Sequence, residues 1–141
     1  MKEPVIILDD GAKDTGLAEM LFHLLRQNLE QKPPKALSFQ ALESNVVIVA
    51  RDINVAVSLV FKGGELKIYN GIIGKADLKI IADHEVILDL SLINIVKGFP
   101  NFFDKTGRAI LKKVLFGNLK IEGMLKHPLQ LIYLTKIFSV N

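Results

Sequence analysis

The chain has no cysteine, and it has no hydrophobic run long enough to cross a bilayer. Without cysteine, its 141 residues offer no disulfide scaffold, no thiol nucleophile and no zinc–thiolate site. The apolar run nearest the N-terminus, Val5–Leu8, is too short for a signal peptide. We therefore expect a cytoplasmic protein, with residues 1–13 as an N-terminal arm and residues 14–141 as a single domain.

Catalytic and metal-binding motifs are also missing. His23, His84 and His127 do not have the spacing of a metal-ligand set. The sequence has no Gly-x-Ser-x-Gly elbow, and the glycines of Gly71–Asp77 are too closely spaced for a phosphate loop. No nucleic-acid-binding module is recognisable. We therefore expect no catalytic residue, no metal, no cofactor and no nucleic-acid partner, and we predict that the protein is not an enzyme.

Hydrophobic residues are abundant: they make up 50% of the chain, and the mean hydropathy is +0.32. The net charge of +3 is unevenly placed, because residues 103–141 carry seven basic residues against two acidic ones. Basic residues beside apolar helices indicate peripheral attraction to an anionic membrane. The candidate docking residues are Lys105, Arg108, Lys112 and Lys113. The alternative is that they form ordinary solvent-exposed helix faces.

Hydrophobic periodicity predicts helices towards both ends of the chain and strands between them. The predicted helices are Gly16–Gln31, Lys35–Leu42, Glu85–Lys97 with Asp83 as its N-cap, Phe103–Leu115, and a last one that begins at Pro128. The predicted strands are Val46–Ala50, Asn54–Phe61, Glu65–Asn70, Asp77–Ala82 and Asn118–Glu122. This order predicts an α+β domain whose sheet, of about five mainly antiparallel strands, is covered on one face by helices.

Three pieces of this pattern resemble the sterol carrier protein two (sterol-binding domain) family, over roughly Leu17–Phe138. VSLVFKGGELKIYNG is similar to the family's strand, Gly-rich turn and strand. ADLKIIADHEVILDL is similar to its strand with an acidic cap and a following helix. LFGNLKIEGMLKHPLQLIYL is similar to its closing strand and helix. Arg51-Asp52 also resembles the branch of accessory factors in ubiquinone biosynthesis, although a local salt-bridged turn explains these two residues as well.

The resemblance implies an SCP2-like fold with an apolar tunnel between the sheet and its helices. Members of the family hold a lipid there, such as a sterol or a fatty acyl group, and do not transform it. Two functions follow: a lipid carrier for a sterol, fatty acyl or isoprenoid lipid, or an accessory interaction subunit of a lipid- or quinone-modifying enzyme complex. In a third alternative, the core is filled and no lipid binds.

Apolar residues of the later helices and of the last strand are the candidate tunnel walls, and ordinary core packing is the alternative for each of them. They are Ile87, Leu90, Ile93, Phe99, Phe102, Phe103, Ile110, Leu111, Val114, Leu119, Ile121, Met124, Leu129, Ile132, Tyr133 and Ile137, with Val96 and Leu115 as further candidates. The segment Gly98–Gly117 contains a basic helix that the family's short loop lacks. Three roles are open for that helix: it is a lid, it docks on a membrane, or it fills the tunnel and so removes ligand binding.

Overall fold

The computed structural model describes residues 3–97 and 99–141, which form five α-helices and eight strands. The helices are α1 (Gly16–Gln31), α2 (Lys35–Ala41), α3 (His84–Asp89), α4 (Lys105–Leu115) and α5 (Pro128–Phe138). The strands are β1 (Val5–Leu8), β2 (Ser44–Ala50), β3 (Val55–Lys62), β4 (Glu65–Asn70), β5 (Leu78–Ala82), β6 (Ile95–Val96), β7 (Phe99–Pro100) and β8 (Leu119–Glu122). None of the described helices is long and apolar enough to cross a bilayer.

The main sheet has six strands in the order β1-β4-β3-β2-β5-β8, and it is mixed. The pairs β1/β4 and β2/β5 are parallel, and the other pairs are antiparallel. The prediction of about five mainly antiparallel strands is therefore corrected to six mixed strands. The additional strand, β1, lies in the predicted arm, of which residues 1 and 2 are outside the described part. Its four residues are all apolar, so they show no alternation by which sequence could identify a strand.

One face of the sheet is apolar and carries the core. Val46, Ile48, Leu59 and Leu78 point to this face and are fully buried. Their neighbours along each strand point to the opposite face, because side chains alternate along a strand. Helices α1, α2 and α5 pack against one another, and α1 also contacts β1, β3 and β4. The helices thus cover one face of the sheet, as predicted.

The segment after β5 differs from its prediction. The helix predicted over Glu85–Lys97 ends at Asp89, and a 3₁₀ turn at Leu90–Leu92 and the β6–β7 hairpin follow it. Gly98, which was expected to end the helix, lies outside the described residues. The backbone here bonds with remote groups: the carbonyl of Ser91 accepts from the N–H of Val140 at 2.8 Å. Because contacts with remote residues, such as this hydrogen bond, stabilise the non-helical backbone, the local apolar pattern does not reveal where the helix ends.

Helix α5 is fixed at its C-terminal end by side chains from α1 and α2. The buried amide of Asn28 donates to the carbonyls of Ile137 and Phe138, both at 2.9 Å. Lys35 Nζ donates to the carbonyl of Lys136 at 2.5 Å, and burial lowers the pKa of this lysine. The last carbonyls of a helix have no partner within the helix, and a positive charge is favourable there. These contacts hold α5 over the sheet.

Candidate functional site

A cavity of about 280 Å³ lies between the β5–β8 side of the sheet, the helices α4 and α5, and the segment that joins α3 to α4. It is lined by Ile80, Leu90, Ile93, Pro100, Phe102, Ile110, Leu111, Val114, Ile121, Met124, Leu131, Ile132, Leu134, Thr135 and Phe138. Its volume is close to the lower end of the range of small-molecule sites, roughly 300 Å³. The cavity is therefore about the size of the smallest such sites.

The lining of this cavity is apolar almost throughout. Thr135 is the one lining residue with a polar side chain, and its hydroxyl donates to the carbonyl of Leu131 at 2.8 Å. No lining side chain carries a carboxylate, an imidazole, an amine or a guanidinium group. An apolar lining offers water few hydrogen-bond partners and suits apolar molecules. The arrangement can hold hydrocarbon, but it supplies no acid or base, and the Thr135 hydroxyl has no base among the lining residues to activate it.

The mouth of the cavity lies between α4 and the turn that follows β8. Leu111 on α4 and Met124 in that turn both line the cavity, yet they are 41% and 38% exposed. Side chains that belong both to the lining and to the surface mark the place where the cavity opens to solvent. A thioether such as that of Met124 adapts its shape more easily than a branched side chain.

The structure brings more than half of the predicted wall residues together around this cavity. Those that line it are Leu90, Ile93, Phe102, Ile110, Leu111, Val114, Ile121, Met124 and Ile132. The others lie elsewhere: Ile87, Leu119 and Ile137 are buried in the core, Tyr133 packs against the core, and Phe99, Phe103 and Leu129 are exposed. The further candidates Val96 and Leu115 are also exposed.

Some lining residues were not among the candidates: Ile80, Pro100, Leu131, Leu134, Thr135 and Phe138. Ile80 lies opposite Ile121 in the pairing of β5 with β8. Since paired residues share a face of the sheet, the prediction that Ile121 lines the cavity could have been extended to Ile80. For Leu131, Leu134, Thr135 and Phe138, helical spacing from Leu131 is the available signal, since they recur at intervals of three and four. Pro100 had no such signal, because the hairpin that positions it was not predicted.

The four basic residues predicted to dock on a membrane lie on or at the start of α4. Lys105, Arg108 and Lys112 are exposed, and Lys113 is half-buried. The opposite side of the helix presents Ile110 and Val114 to the cavity. The segment Gly98–Gly117 thus supplies one wall of the cavity through α4.

The start of α4 is held close to the preceding loop. Asp104 Oδ1 accepts from the backbone N–H of Gly107 at 2.7 Å, and Asp104 Oδ2 accepts from Asn94 Nδ2 at 2.7 Å. The hydrogen bond from Asn94, followed by that from Gly107, lowers the pKa of Asp104. A Cβ at Gly107 would lie 2.2 Å from the carbonyl oxygen of Asn101, so glycine permits this close approach. These contacts fix α4 as a wall of the cavity.

The titratable side chains of the described residues lie outside the cavity lining. No group of three His, Asp or Glu side chains in these ranges could hold a metal ion. Arg51 and Asp52 do not pair with each other. Arg51 Nε lies 3.9 Å from Asp83 Oδ1, and Asp52 contacts His84. These contacts join the β2–β3 turn to the start of α3, and none of the four residues lines the cavity.

Comparisons with known proteins establish the fold. No protein-family model and no curated protein sequence matches this chain. Among solved structures, it is similar to a protein described as "UbiJ-SCP2 Ubiquinone synthesis protein", with a TM-score of 0.60 and 17% identity over 87% of this chain and 96% of that one. It is also similar to sterol carrier protein 2, with a TM-score of 0.51 and 16% identity over 84% of this chain and 90% of that one.

The chain therefore has the SCP2-like α+β fold, and the resemblance predicted from its sequence is confirmed. At 17% and 16% identity, the similarity to these two structures lies in the backbone arrangement and concerns the fold alone. One fold serves many functions, so the function of this chain depends on the chemistry of its cavity.

Proposed function

We propose that this protein is a non-catalytic lipid carrier that holds the apolar part of a lipid in the cavity between α4, α5 and the β5–β8 side of the sheet. The observation that carries the proposal is the apolar lining of a cavity of about 280 Å³ that opens at the surface. The similarity to sterol carrier protein 2 supports it. The lining offers no group for acid–base or nucleophilic chemistry, which favours binding over catalysis.

The volume of the cavity indicates how much lipid it holds. An apolar cavity of about 150 Å³ binds benzene, so by proportion this one, of about 280 Å³, holds about eleven carbon atoms. Each methylene removed from water contributes about 0.8 kcal/mol, and the costs of association offset a large part of the sum. The cavity therefore suits a segment of an acyl or isoprenoid chain, and a sterol would require its walls to move apart.

We further propose that α4 brings the mouth to an anionic membrane surface. Lys105, Arg108 and Lys112 are exposed on the helix whose inner side lines the cavity, and Leu115 is 82% exposed at its end. Basic side chains beside exposed apolar ones suit the interface of an anionic bilayer. A carrier needs such a contact because its ligand enters and leaves through a membrane.

The test of lipid binding places a charge in the cavity wall. Ile132 lines the cavity on α5, and we expect Ile132→Asp to weaken binding of dodecanol by at least about ten-fold, because a carboxylate is costly beside a buried chain. Binding is measured by native mass spectrometry and by isothermal titration calorimetry. Lipid extracted from gently purified protein identifies the natural ligand.

The matched control for this test is Leu37→Asp. It introduces the same carboxylate in place of a leucine that is 65% exposed and does not line the cavity. It should bind dodecanol like the parent protein. Circular dichroism establishes that both variants are folded. A folded Ile132→Asp variant that binds dodecanol with unchanged affinity would show that the cavity is not the lipid site.

The second candidate function is an accessory subunit of a lipid- or quinone-modifying enzyme complex. Two observations favour it: the similarity to a ubiquinone synthesis protein, and exposed apolar residues on β1 and in the loop after β4. Val5 and Ile7 on β1 and Ile72 and Ile73 after β4 are each at least 40% exposed. Such a subunit should self-associate when purified alone and should lack extractable lipid. Sedimentation velocity together with lipid extraction separates the two functions.

A further inference from the structure

A groove of about 590 Å³ lies next to the cavity. It is built where the loop before β5 meets the turn after β8. Ile121 and Met124 line both the groove and the cavity, and Met124 lies at the cavity mouth. A molecule whose chain fills the cavity would therefore place its other end in this groove.

The groove differs from the cavity in its charge. Lys75, Lys79 and Lys126 line it, and none of them forms an ion pair with a carboxylate within residues 3–97 and 99–141. Three unpaired ammonium groups make this groove attractive to an anion.

The two carboxylates that line the groove are already engaged. Asp77 Oδ2 accepts from the backbone N–H of Asn45 at 2.9 Å, and Asp77 Oδ1 lies 3.9 Å from His127 Nε2. Glu122 Oε1 lies 3.6 Å from the ammonium group of Lys120, which is not a lining residue. The carboxylates are therefore partly compensated by groups other than the three lysines.

The walls of the groove are fixed by contacts with the sheet. Asn45 on β2 donates its side-chain amide to the carbonyls of Ile73 at 2.6 Å and Lys75 at 3.0 Å. On the other side, Gly123 has a φ of +87°, and a Cβ there would lie 2.0 Å from the carbonyl oxygen of Asp77. The turn after β8 and the loop before β5 are thus in close contact, which defines the floor of the groove.

We propose that this groove binds the anionic head group, a carboxylate or a phosphate, of a lipid whose chain occupies the apolar cavity. The proposal rests on the lipid-carrier function proposed above. An apolar cavity provides no partner for a charged head group, and a charge without a partner is costly to remove from water. The lysines that line the adjoining groove supply that partner, so the protein selects acidic amphiphiles over neutral lipids with the same chain.

The test compares dodecanoate with dodecanol, which have the same chain length and differ in the charge of the head group. We expect the parent protein to bind dodecanoate roughly ten-fold more tightly, the size expected of three partly screened ion pairs. The triple variant with Lys75→Gln, Lys79→Gln and Lys126→Gln should bind both ligands with about the same affinity as the parent binds dodecanol. The preference should also decrease as salt is added.

A control variant with Lys32→Gln, Lys62→Gln and Lys67→Gln has the same net charge, with all three changes outside the groove and the cavity. It should keep the preference for dodecanoate. Inorganic phosphate, which has the charge without the chain, should not displace dodecanoate at equal concentration.

The outcomes separate the two proposals. Equal binding of dodecanoate and dodecanol by the parent protein, or a preference that survives in the groove variant, overturns the head-group site while chain binding stands. Displacement by inorganic phosphate at equal concentration also overturns it, since the groove would then be a site for free anions. Failure of both ligands to bind overturns the carrier function and the head-group site together.

Discussion

Asp52 and His84 join the turn after β2 to the start of α3. Asp52 Oδ1 accepts from the backbone N–H of His84 at 2.9 Å, and Asp52 Oδ2 contacts His84 Nδ1. Asp83 occupies the N-cap position, as predicted, but its side chain makes no capping hydrogen bond. A residue remote in sequence therefore caps the helix, and local spacing could not indicate it.

This contact changes the protonation of both side chains. The hydrogen bond that His84 donates to Asp52 raises the pKa of His84, against the lowering effect of burial. Burial acts to raise the pKa of Asp52, and the hydrogen bonds from His84 outweigh this effect and lower it. The contribution of His84 to stability is therefore complete below its unfolded pKa of about 6.5 and is lost as pH rises through its folded pKa. That of Asp52 is lost in acid, below its ordinary value of 3.8.

We therefore expect the stabilising effect of His84 to depend on pH. His84→Gln should lower the urea midpoint relative to the parent at about pH 5.5, and the difference should shrink towards about pH 9, where the parent histidine is neutral. Urea unfolding followed by circular dichroism at both pH values measures this. The control is His23→Gln, at an exposed histidine whose ring contacts Phe22. A difference that does not change with pH would contradict the assigned contact.

At the scale of elements, β1 shows how strand pairing assigns neighbouring residues to opposite faces. Val5, Ile6, Ile7 and Leu8 look alike in sequence, but Ile6 packs against the core while Ile7 is 41% exposed. The pairing places Ile6 beside Leu66, which is fully buried. A shift of the register by one residue would exchange the two faces.

The register of β1 predicts opposite outcomes for two adjacent substitutions. Ile6→Asp should lower the free energy of unfolding by about 3 kcal/mol, because it places a charge against the core. Ile7→Asp should change it by no more than about 0.5 kcal/mol, because that side chain already faces solvent. Urea denaturation of both variants provides the measurement. Equal losses would mean that β1 does not pair as described.

At the scale of the whole molecule, the cavity mouth and the basic helix occupy the same part of the fold. Helix α4 presents Ile110 and Val114 to the cavity and Arg108 and Lys112 to solvent. A membrane surface that attracts α4 would therefore lie close to the mouth. Each basic residue near an anionic surface contributes about 1 kcal/mol to membrane binding.

Reversing two of these charges tests the docking proposal. Lys112→Glu with Lys113→Glu should weaken binding to vesicles that contain phosphatidylserine by at least about ten-fold at low salt. Vesicle co-sedimentation measures the affinity. The pair Lys32→Glu with Lys62→Glu makes the same change in net charge on exposed lysines outside α4. An equal loss in both variants would show that only net charge matters and would remove α4 as the docking element.

Much of the fold could be predicted because its elements carry local signals. Helix α1 has apolar residues at helical spacing and ends just before Pro33-Pro34, and the hairpin of β3 and β4 turns at Gly63-Gly64. The order of these elements then predicted an α+β fold, and the resemblance to a family added the expectation of an apolar tunnel. The short elements β1, β6 and β7 could not be found in this way, because their remote or irregular pairing leaves no period in the sequence.

The sequence by itself determined that the chain folds as helices over one face of a sheet and that its later helices carry apolar faces. Hydrophobic periodicity and turn residues are local signals, and together with the composition they suffice to predict these elements and their apolar faces. Only the tertiary structure decided which apolar residues face a cavity. Ile132 lines it, whereas the adjacent Tyr133 packs against the core and Leu129 is exposed. Apolar side chains look alike in a sequence, and whether each one meets a neighbour, a void or solvent depends on how remote elements pack.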